Sequence, residues 1–356
     1  MKRFKHLFER IIDYENLYLA YKQAAKGKRF RNEVLAFTKN LEENLITIQN
    51  ELIYKTYEVG RYREFHIFEP KKRLIMALPF RDRVVQWAIY RVIEPLINRQ
   101  FIADSFACRK GKGVQSAADR LQYWVRKMSR SHDKPYCLKL DIAKYFYRID
   151  HDILLSLLHH KLHDPDLMWL LEKIIRSEHT KFGVPLGDHD FEKDRVEGMG
   201  MPIGNLTSQL FANLYLNELD QFVKHELHMH HYIRYMDDVV ILHPDKKVLH
   251  TILEEIDLFL RFELKLQLNN KTSIRPIFQG IEFVGYRIWP THRKLKKKTV
   301  KKMKSRLRFL RKAYQRGEVS LDDTRSTIAS YLGYMKHANC YRLKKKVLRE
   351  FVLVRR

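Results

Sequence analysis

The stretch His231-Tyr-Ile-Arg-Tyr-Met-Asp-Asp-Val-Val-Ile-Leu242 sets two adjacent carboxylates, Asp237 and Asp238, between two short apolar runs. Tyr232 to Tyr235 and Val239 to Leu242 are rich in aromatic, β-branched and aliphatic residues, which suit a pleated, half-buried strand. The reading is a hairpin with the acids at its tip. Asp is a good turn former because its side chain bonds its own backbone, and that would explain one of the two. Adjacent anions raise each other's pKa, so the pair is better explained by a cation that belongs there.

A third carboxylate joins them. "PYCLKLDIAKYF" (135–146) reads as a strand through Leu138 and Leu140 that ends at Asp141. If the two strands are neighbours, three carboxylates converge at one sheet edge. Hard oxygen donors suit Mg²⁺, and two such ions ~3.5–4 Å apart stabilise attacking and leaving oxygens in phosphoryl transfer. Asp141 alone would be a turn cap; the three together point to a metal site.

The 356 residues carry 68 Lys+Arg against 42 Asp+Glu, a formal +26. A field of that sign favours polyanions, nucleic acid ahead of an anionic membrane. An apolar content of 45% with 12% aromatics excludes a disordered chain. Cys108, Cys137 and Cys340 are far apart and odd in number, giving neither a disulfide framework nor a CxxC zinc pair. They are expected to be buried hydrophobes in a reducing interior. The N-terminus alternates charge with apolar residues, without a signal-peptide core, and no apolar run approaches the ~20 residues that cross a bilayer. A soluble, cytoplasmic protein is expected.

Around the hairpin, helices are predicted over residues 1 to about 60, with Leu45, Ile48 and Leu52 at helical spacing. "REFHIFEP" and "KKRLIMALP" read as strands, and "RDRVVQWAIYRVIEPLI" and "HDILLSLLHHKL" as helices. "MPIGNLTSQ" is a loop feeding a helix with Phe211, Tyr215, Leu219, Val223 and Leu227 on one stripe. A helix through "LEEIDLFLRFEL" and a strand pair in "GIEFVGYRIW" follow the hairpin. From Arg293 to Lys312 there are twelve Lys or Arg and no acid, with Val300, Met303, Leu307 and Leu310 as an apolar stripe, so this run is predicted helical. A boundary is placed near Pro290. Helices and strands intermix without a βαβ rhythm, which predicts an α+β fold.

These motifs, in this order, resemble those of reverse transcriptases. "YMDD" is similar to the signature hairpin, "PKKRLIMALPFRDRVVQ" to the fingers segment and "LKLDIAKYF" to the first palm motif. "GMPIGNLTSQ" resembles the template and nucleotide loop, and "LQLNNKTSI" and "FVGYRI" (the primer grip) follow the hairpin. The likeness spans about Arg61 to Trp289, and six ordered motifs are a strong signal. It implies a right-hand polymerase: a helical extension over 1–60, fingers and an antiparallel palm over 61–290, and a short basic helical thumb over 291–356. Most of the family read QG, three residues, then SP in the loop. Here Ile203-Gly204-Asn205-Leu206-Thr207-Ser208-Gln209 has Ile for Gln and Gln for Pro, a form similar to diversity-generating retroelements within the group II intron-like superfamily. "YENLYLAYKQAAKGKRF" and "INRQFIADSFACRKGKG" resemble that group as well. Its members copy a template-repeat RNA into cDNA while misreading adenines, and work with a small basic accessory variability protein.

The resemblance implies residue roles. Asp141, Asp237 and Asp238, with the carbonyl of Ile142, would hold two Mg²⁺, for which Mn²⁺ could substitute. Arg73 and Lys71 would clamp the triphosphate of a dNTP, as cationic forks do. Phe146 would be the steric gate against a ribose 2′-OH, Ile203, Gly204 and Gln209 would line the nucleotide, and Lys271 would neutralise pyrophosphate. Tyr235, Met236, Phe283, Gly285, Tyr286, Lys297, Lys301, Lys304 and Arg308 would contact the cDNA/RNA duplex. Ile203 cannot make the polar contact that Gln could. Losing a bond of about 0.5–1.5 kcal/mol would relax discrimination roughly three- to tenfold.

Other patterns point elsewhere and fail. "HELHMHH" (225–231) lacks HExxH spacing and reads as surface histidines; "RKGKGV" lacks the phosphate-loop spacing. Alternative readings keep the chemistry in a retron, group II intron or phage-defence enzyme, or drop it in a non-catalytic RNA-binding protein. A chain ending soon after the basic tail is expected to lack intron-type endonuclease modules, and clustered anions speak against the pure binder.

Overall fold

The computed structural model describes residues 4–68, 72–177, 179–185 and 193–354. The chain opens on four helices, Leu7–Ile12 (α1), Tyr14–Ala25 (α2), Asn32–Lys39 (α3) and Leu41–Ile53 (α4). Strands Arg63–Ile67 (β1) and Arg73–Ala77 (β2) form an antiparallel pair, followed by helices Phe80–Asn98 (α5) and Val114–Ser131 (α6). Strand Tyr136–Asp141 (β3) leads through a short 3-10 turn at Tyr145–Tyr147 to helices His151–Lys161 (α7), Pro165–Arg176 (α8) and Leu206–Gln221 (α9). The hairpin Tyr232–Tyr235 (β4) and Asp238–His243 (β5) comes next, then helix Lys246–Phe262 (α10) and strand Ser273–Pro276 (β6). Strands Ile281–Phe283 (β7), Tyr286–Ile288 (β8) and Arg293–Leu295 (β9) precede helices Lys297–Gln315 (α11), Leu321–Lys336 (α12) and Tyr341–Glu350 (α13). The mixture is α+β, as the patterning predicts.

Two compact units interleave along the chain: residues 1–103, 142–228 and 255–270 make one, residues 104–141, 229–254 and 271–356 the other. They do not coincide with the three consecutive segments read from the sequence. In the first unit, capping side chains set where helices begin. Asp150 accepts from the N–H groups of Asp152 and Ile153 at the start of α7. Asp164 caps α8 through the Leu167 N–H and also accepts from Leu7 and Phe8, which pins α1 to it. Caps of this kind satisfy the orphan donors of a helix start and are each worth ~1 kcal/mol.

In the second unit the antiparallel sheet has the order β4-β5-β3-β6. Alternate residues of these strands, Cys137, Ile233, Val240 and Leu242, lie buried in one core with Ala118, Leu121 and Val125 of α6. The same core takes in Phe283, Tyr286 and Ile288 of the second sheet, β7-β8-β9, and Met303 and Leu307 of α11.

The structure corrects several details. The run from Arg293 is not helical from its start: Arg293 pairs with Ile288 and Leu295 with Tyr286, so β9 extends a sheet across the boundary placed near Pro290. Leu295 is buried there, and that edge pairing outweighs helical propensity. The helix from Leu206 ends at Gln221 and relaxes through a π turn at Phe222–Glu226, so Leu227 falls outside the stripe. Helices α6 and α8 add to those that the patterning predicts. Cys108, expected to be buried, is exposed, with φ +53°, whereas Cys137 and Cys340 are buried. His225, His228 and His230 are exposed, as surface histidines should be, whereas His231 is half-buried with its ring edge-on to Trp124.

Candidate active site

Strands β3 and β5 are antiparallel neighbours, and their register sets Asp141 directly opposite Asp238. Opposed residues carry Cβ atoms about 4.5–5.5 Å apart on one face of a sheet, so these two carboxylates share a sheet end. Asp238 is also opposite Tyr235 across the hairpin, leaving Met236 and Asp237 as a two-residue turn. Of the two, Met236 alone has positive φ, +55°. A turn of that form favours glycine at this position.

The local charges are balanced by lysines. Lys139, two residues before Asp141 on the same face, brings Nζ to 3.0 Å from Asp238 Oδ1 and donates to the Glu282 carbonyl. Lys271 Nζ lies 4.0 Å from Asp141 Oδ2, and the Asp141 N–H donates to Thr272 Oγ1 at 3.4 Å. Burial pushes the Asp238 carboxyl above the usual carboxylate range; Lys139 and Lys296 oppose this and the charge on Asp141 adds to it. A carboxylate that burial makes reluctant to ionise, beside a second one, gains most from a cation. Among the described residues, no group of three His, Cys, Asp or Glu is gathered closely enough to hold a metal ion. The oxygen-only donor set suits a hard divalent ion, but the ammonium of Lys139 now stands beside Asp238.

Other expected residues come together within the first unit. The loop before α9 is bonded on two sides: Met201 N–H donates to the Phe146 carbonyl at 2.7 Å, and Met76 N–H of β2 to the Ile203 carbonyl at 3.1 Å. Gly204 has φ +132°, and a Cβ there would meet the Met76 carbonyl oxygen at 3.1 Å and Ile75 Cγ2 at 3.2 Å. The conformation thus favours glycine, and a Cβ would fit only if its neighbours gave by a few tenths of an ångström. Arg73 opens β2 and is exposed; Phe146 and Ile203 are half-buried; Gln209 is exposed on α9. Lys71 lies outside the described residues.

In the second unit Phe283 and Tyr286 are wholly buried. Their side chains belong to the core, which leaves the turn, Val284–Gly285, and the outward-facing Glu282 and Arg287 as the accessible parts of this hairpin. Lys297, Lys301 and Arg308 are exposed and Lys304 half-buried, along one stripe of α11. Sequence reasoning missed Lys139 and Arg234. The signal for Lys139 was its period-two relation to Asp141. Arg234 left only the oddity of a charge inside an apolar strand.

The family profile described as "Reverse transcriptase (RNA-dependent DNA polymerase)" matches residues 68–288. Protein YkfC of Escherichia coli (strain K12) is 26% identical over 284 residues, covering 70% of this chain and 72% of its own. The group II intron-encoded protein LtrA of Lactococcus lactis subsp. cremoris is 24% identical over 345 residues, covering 78% of this chain and 54% of its own. A putative COX1/OXI3 intron 2 protein of Saccharomyces cerevisiae is 23% identical, and the match covers 29% of its length. The chain thus spans about half of LtrA and less of the yeast protein. Among solved structures, an apo telomerase from Candida tropicalis matches with TM-score 0.47 and 12% identity, over 70% of this chain and 60% of that one. No helix among the described residues is long and apolar enough to cross a membrane.

Proposed function

The chain belongs to the reverse transcriptase family of RNA-dependent DNA polymerases, and on that premise we propose that it makes adenine-mutagenic cDNA from a template-repeat RNA for a diversity-generating retroelement. The observation carrying this reading is the loop Ile203-Gly204-Asn205-Leu206-Thr207-Ser208-Gln209, which has an apolar residue where most of the family has Gln. Two Mg²⁺ held by Asp141, Asp237, Asp238 and the Ile142 carbonyl would activate the primer 3′-OH and neutralise the pyrophosphate that leaves. For that, Lys139 must yield its place beside Asp238 and fall back on the Glu282 carbonyl. In this reading Arg73 clamps the triphosphate, Phe146 excludes a 2′-OH, and Lys271, already near Asp141, meets the departing pyrophosphate. Lys297, Lys301, Lys304 and Arg308 track duplex phosphates as the thumb of a palm-and-fingers polymerase, each contact adding salt dependence. The partner is a small basic accessory variability protein.

The test is cDNA synthesis with Mg²⁺, four dNTPs and the repeat RNA, with and without the accessory protein, beside Asp237→Ala. Product that vanishes in the variant and carries errors opposite template adenines supports the reading; evenly accurate product refutes it. The second reading, an intron-type reverse transcriptase, is favoured by the similarity to LtrA. It predicts accurate synthesis on intron RNA and no need of an accessory protein.

A further inference from the structure

Arg234 is the largest fully buried side chain among the described residues, with no exposed surface at all. On one edge of β4 it stands opposite Val239 of β5 without exchanging backbone hydrogen bonds with it. On the other, its N–H donates to the Asp104 carbonyl and its carbonyl accepts from the Phe106 N–H, both at 3.0 Å, in a parallel bridge at Ser105. Successive residues of a strand alternate faces. Arg234 opposes Val239 while Tyr235 opposes Asp238, so its side chain leaves the sheet on the face away from Asp238 and Asp141. From there the guanidinium Nη1 donates to the Met236 carbonyl at 3.2 Å.

Met236 is the first turn residue and immediately precedes Asp237. Its φ of +55° is disfavoured for any residue with a Cβ, and such conformations persist where the surroundings over-determine them. A guanidinium locked in a dry site is a rigid donor of that kind. Ordinary core demands would place an apolar residue at this position, because burying a cation is costly.

We infer that Arg234 is a positioning residue for the polymerase centre: by binding the Met236 carbonyl it holds the left-handed turn that aims Asp237 and Asp238. This rests on the polymerase reading above. Without the bond the turn samples other conformations, the carboxylates diverge, and more Mg²⁺ is needed to gather them. The side chains proposed to bind the dNTP are themselves unaltered.

The test is steady-state extension of oligo(dT) on poly(rA) with dTTP, with Mg²⁺ varied, for the parent, Arg234→Met and Arg234→Gln. Gln keeps an N–H donor without the charge. Thermal unfolding runs alongside, and rates are normalised to the folded, active-site-titrated fraction. For Arg234→Met, kcat should fall at least tenfold, KM for dTTP should stay within threefold, and the half-saturating Mg²⁺ should rise at least fivefold. Arg234→Gln should recover part of both losses. A purely structural role would lower the melting temperature of both variants while leaving kcat per folded molecule and the Mg²⁺ profile at parental values. That result overturns the inference, as does an Arg234→Gln no better than Arg234→Met. If Arg234→Met does not fold, Arg234→Gln against the parent decides by the same Mg²⁺ profile. A parent without Mg²⁺-dependent extension overturns the polymerase reading itself, whereas an active parent with unaltered variants overturns only the role of Arg234.

Discussion

Replacing Gly285 with alanine should destabilise the protein by roughly 2–5 kcal/mol, and removing one oxygen from a distant helix should return about half of that loss. Gly285 follows Val284 in the turn between β7 and β8, with φ +90°. An L-residue held in the left-handed region costs ~1–2 kcal/mol. The second component is spatial: a Cβ on Gly285 would stand 2.0 Å from the Tyr334 hydroxyl oxygen and 3.4 Å from its Cζ. Tyr334, on α12, cannot swing away freely because its ring stacks on Tyr286, with centroids 5.1 Å apart and planes 26° from parallel. Forcing an atom into such packing costs ~1–3 kcal/mol. Tyr334→Phe removes the clashing oxygen and leaves the 3.4 Å contact, so Gly285→Ala in that background should cost only the backbone component. The double-mutant cycle should therefore show ~1–3 kcal/mol of coupling. Urea unfolding of the four proteins, followed by tryptophan fluorescence, measures it. Coupling below about 0.5 kcal/mol, the level at which independent sites add, would refute the packing of Tyr334 over this turn. Because Gly285 is also proposed to face the primer, stability restored without activity would separate the two roles.

Ile203→Gln should sharpen discrimination against misincorporation by roughly three- to tenfold, the worth of one added polar contact; an unchanged error spectrum on sequenced cDNA would remove Ile203 from the fidelity argument. Lys139→Met should lower the half-saturating Mg²⁺ for extension, because the ammonium competes for Asp238. A partly exposed pair worth up to ~1 kcal/mol allows up to about a fivefold shift, and a rise instead would make Lys139 a helper. Acid should destabilise the fold in two steps. Burial holds His151 below its ordinary value, so its contribution is complete above about 6.5 and fades as pH falls through the lowered folded value. Burial pushes Asp150 up, but Lys265 at 2.7 Å and the N–H groups of Ile153 and Asp152 outweigh it. Its contribution is present above about 3.9 and lost below that. Melting curves from pH 3 to 8 should lose the upper step in His151→Gln and the lower one in Asp150→Asn.

Much of the site was legible because its signals are local. Two acids between apolar runs mark a hairpin tip by composition, Leu138 and Leu140 aim a strand at Asp141, and each motif is a short run of residues in a set order. The α11 stripe of Val300, Met303, Leu307 and Leu310 announced its packed face in the same way. What the chain's letters could not convey was partnership. That Asp141 stands opposite Asp238 depends on β3 choosing β5 and β6 as neighbours in one register, and a one-residue slip would turn every side chain to the other face. Residues 293–295 look helical by composition and become a strand because β8 offers an edge. Lys139 becomes a counter-ion and Arg234 a buried brace only once the sheet is assembled. Periodicity is a property of a few consecutive residues, whereas register is decided by whichever pairing buries enough apolar surface to offset the entropy of closing the long loops between the strands.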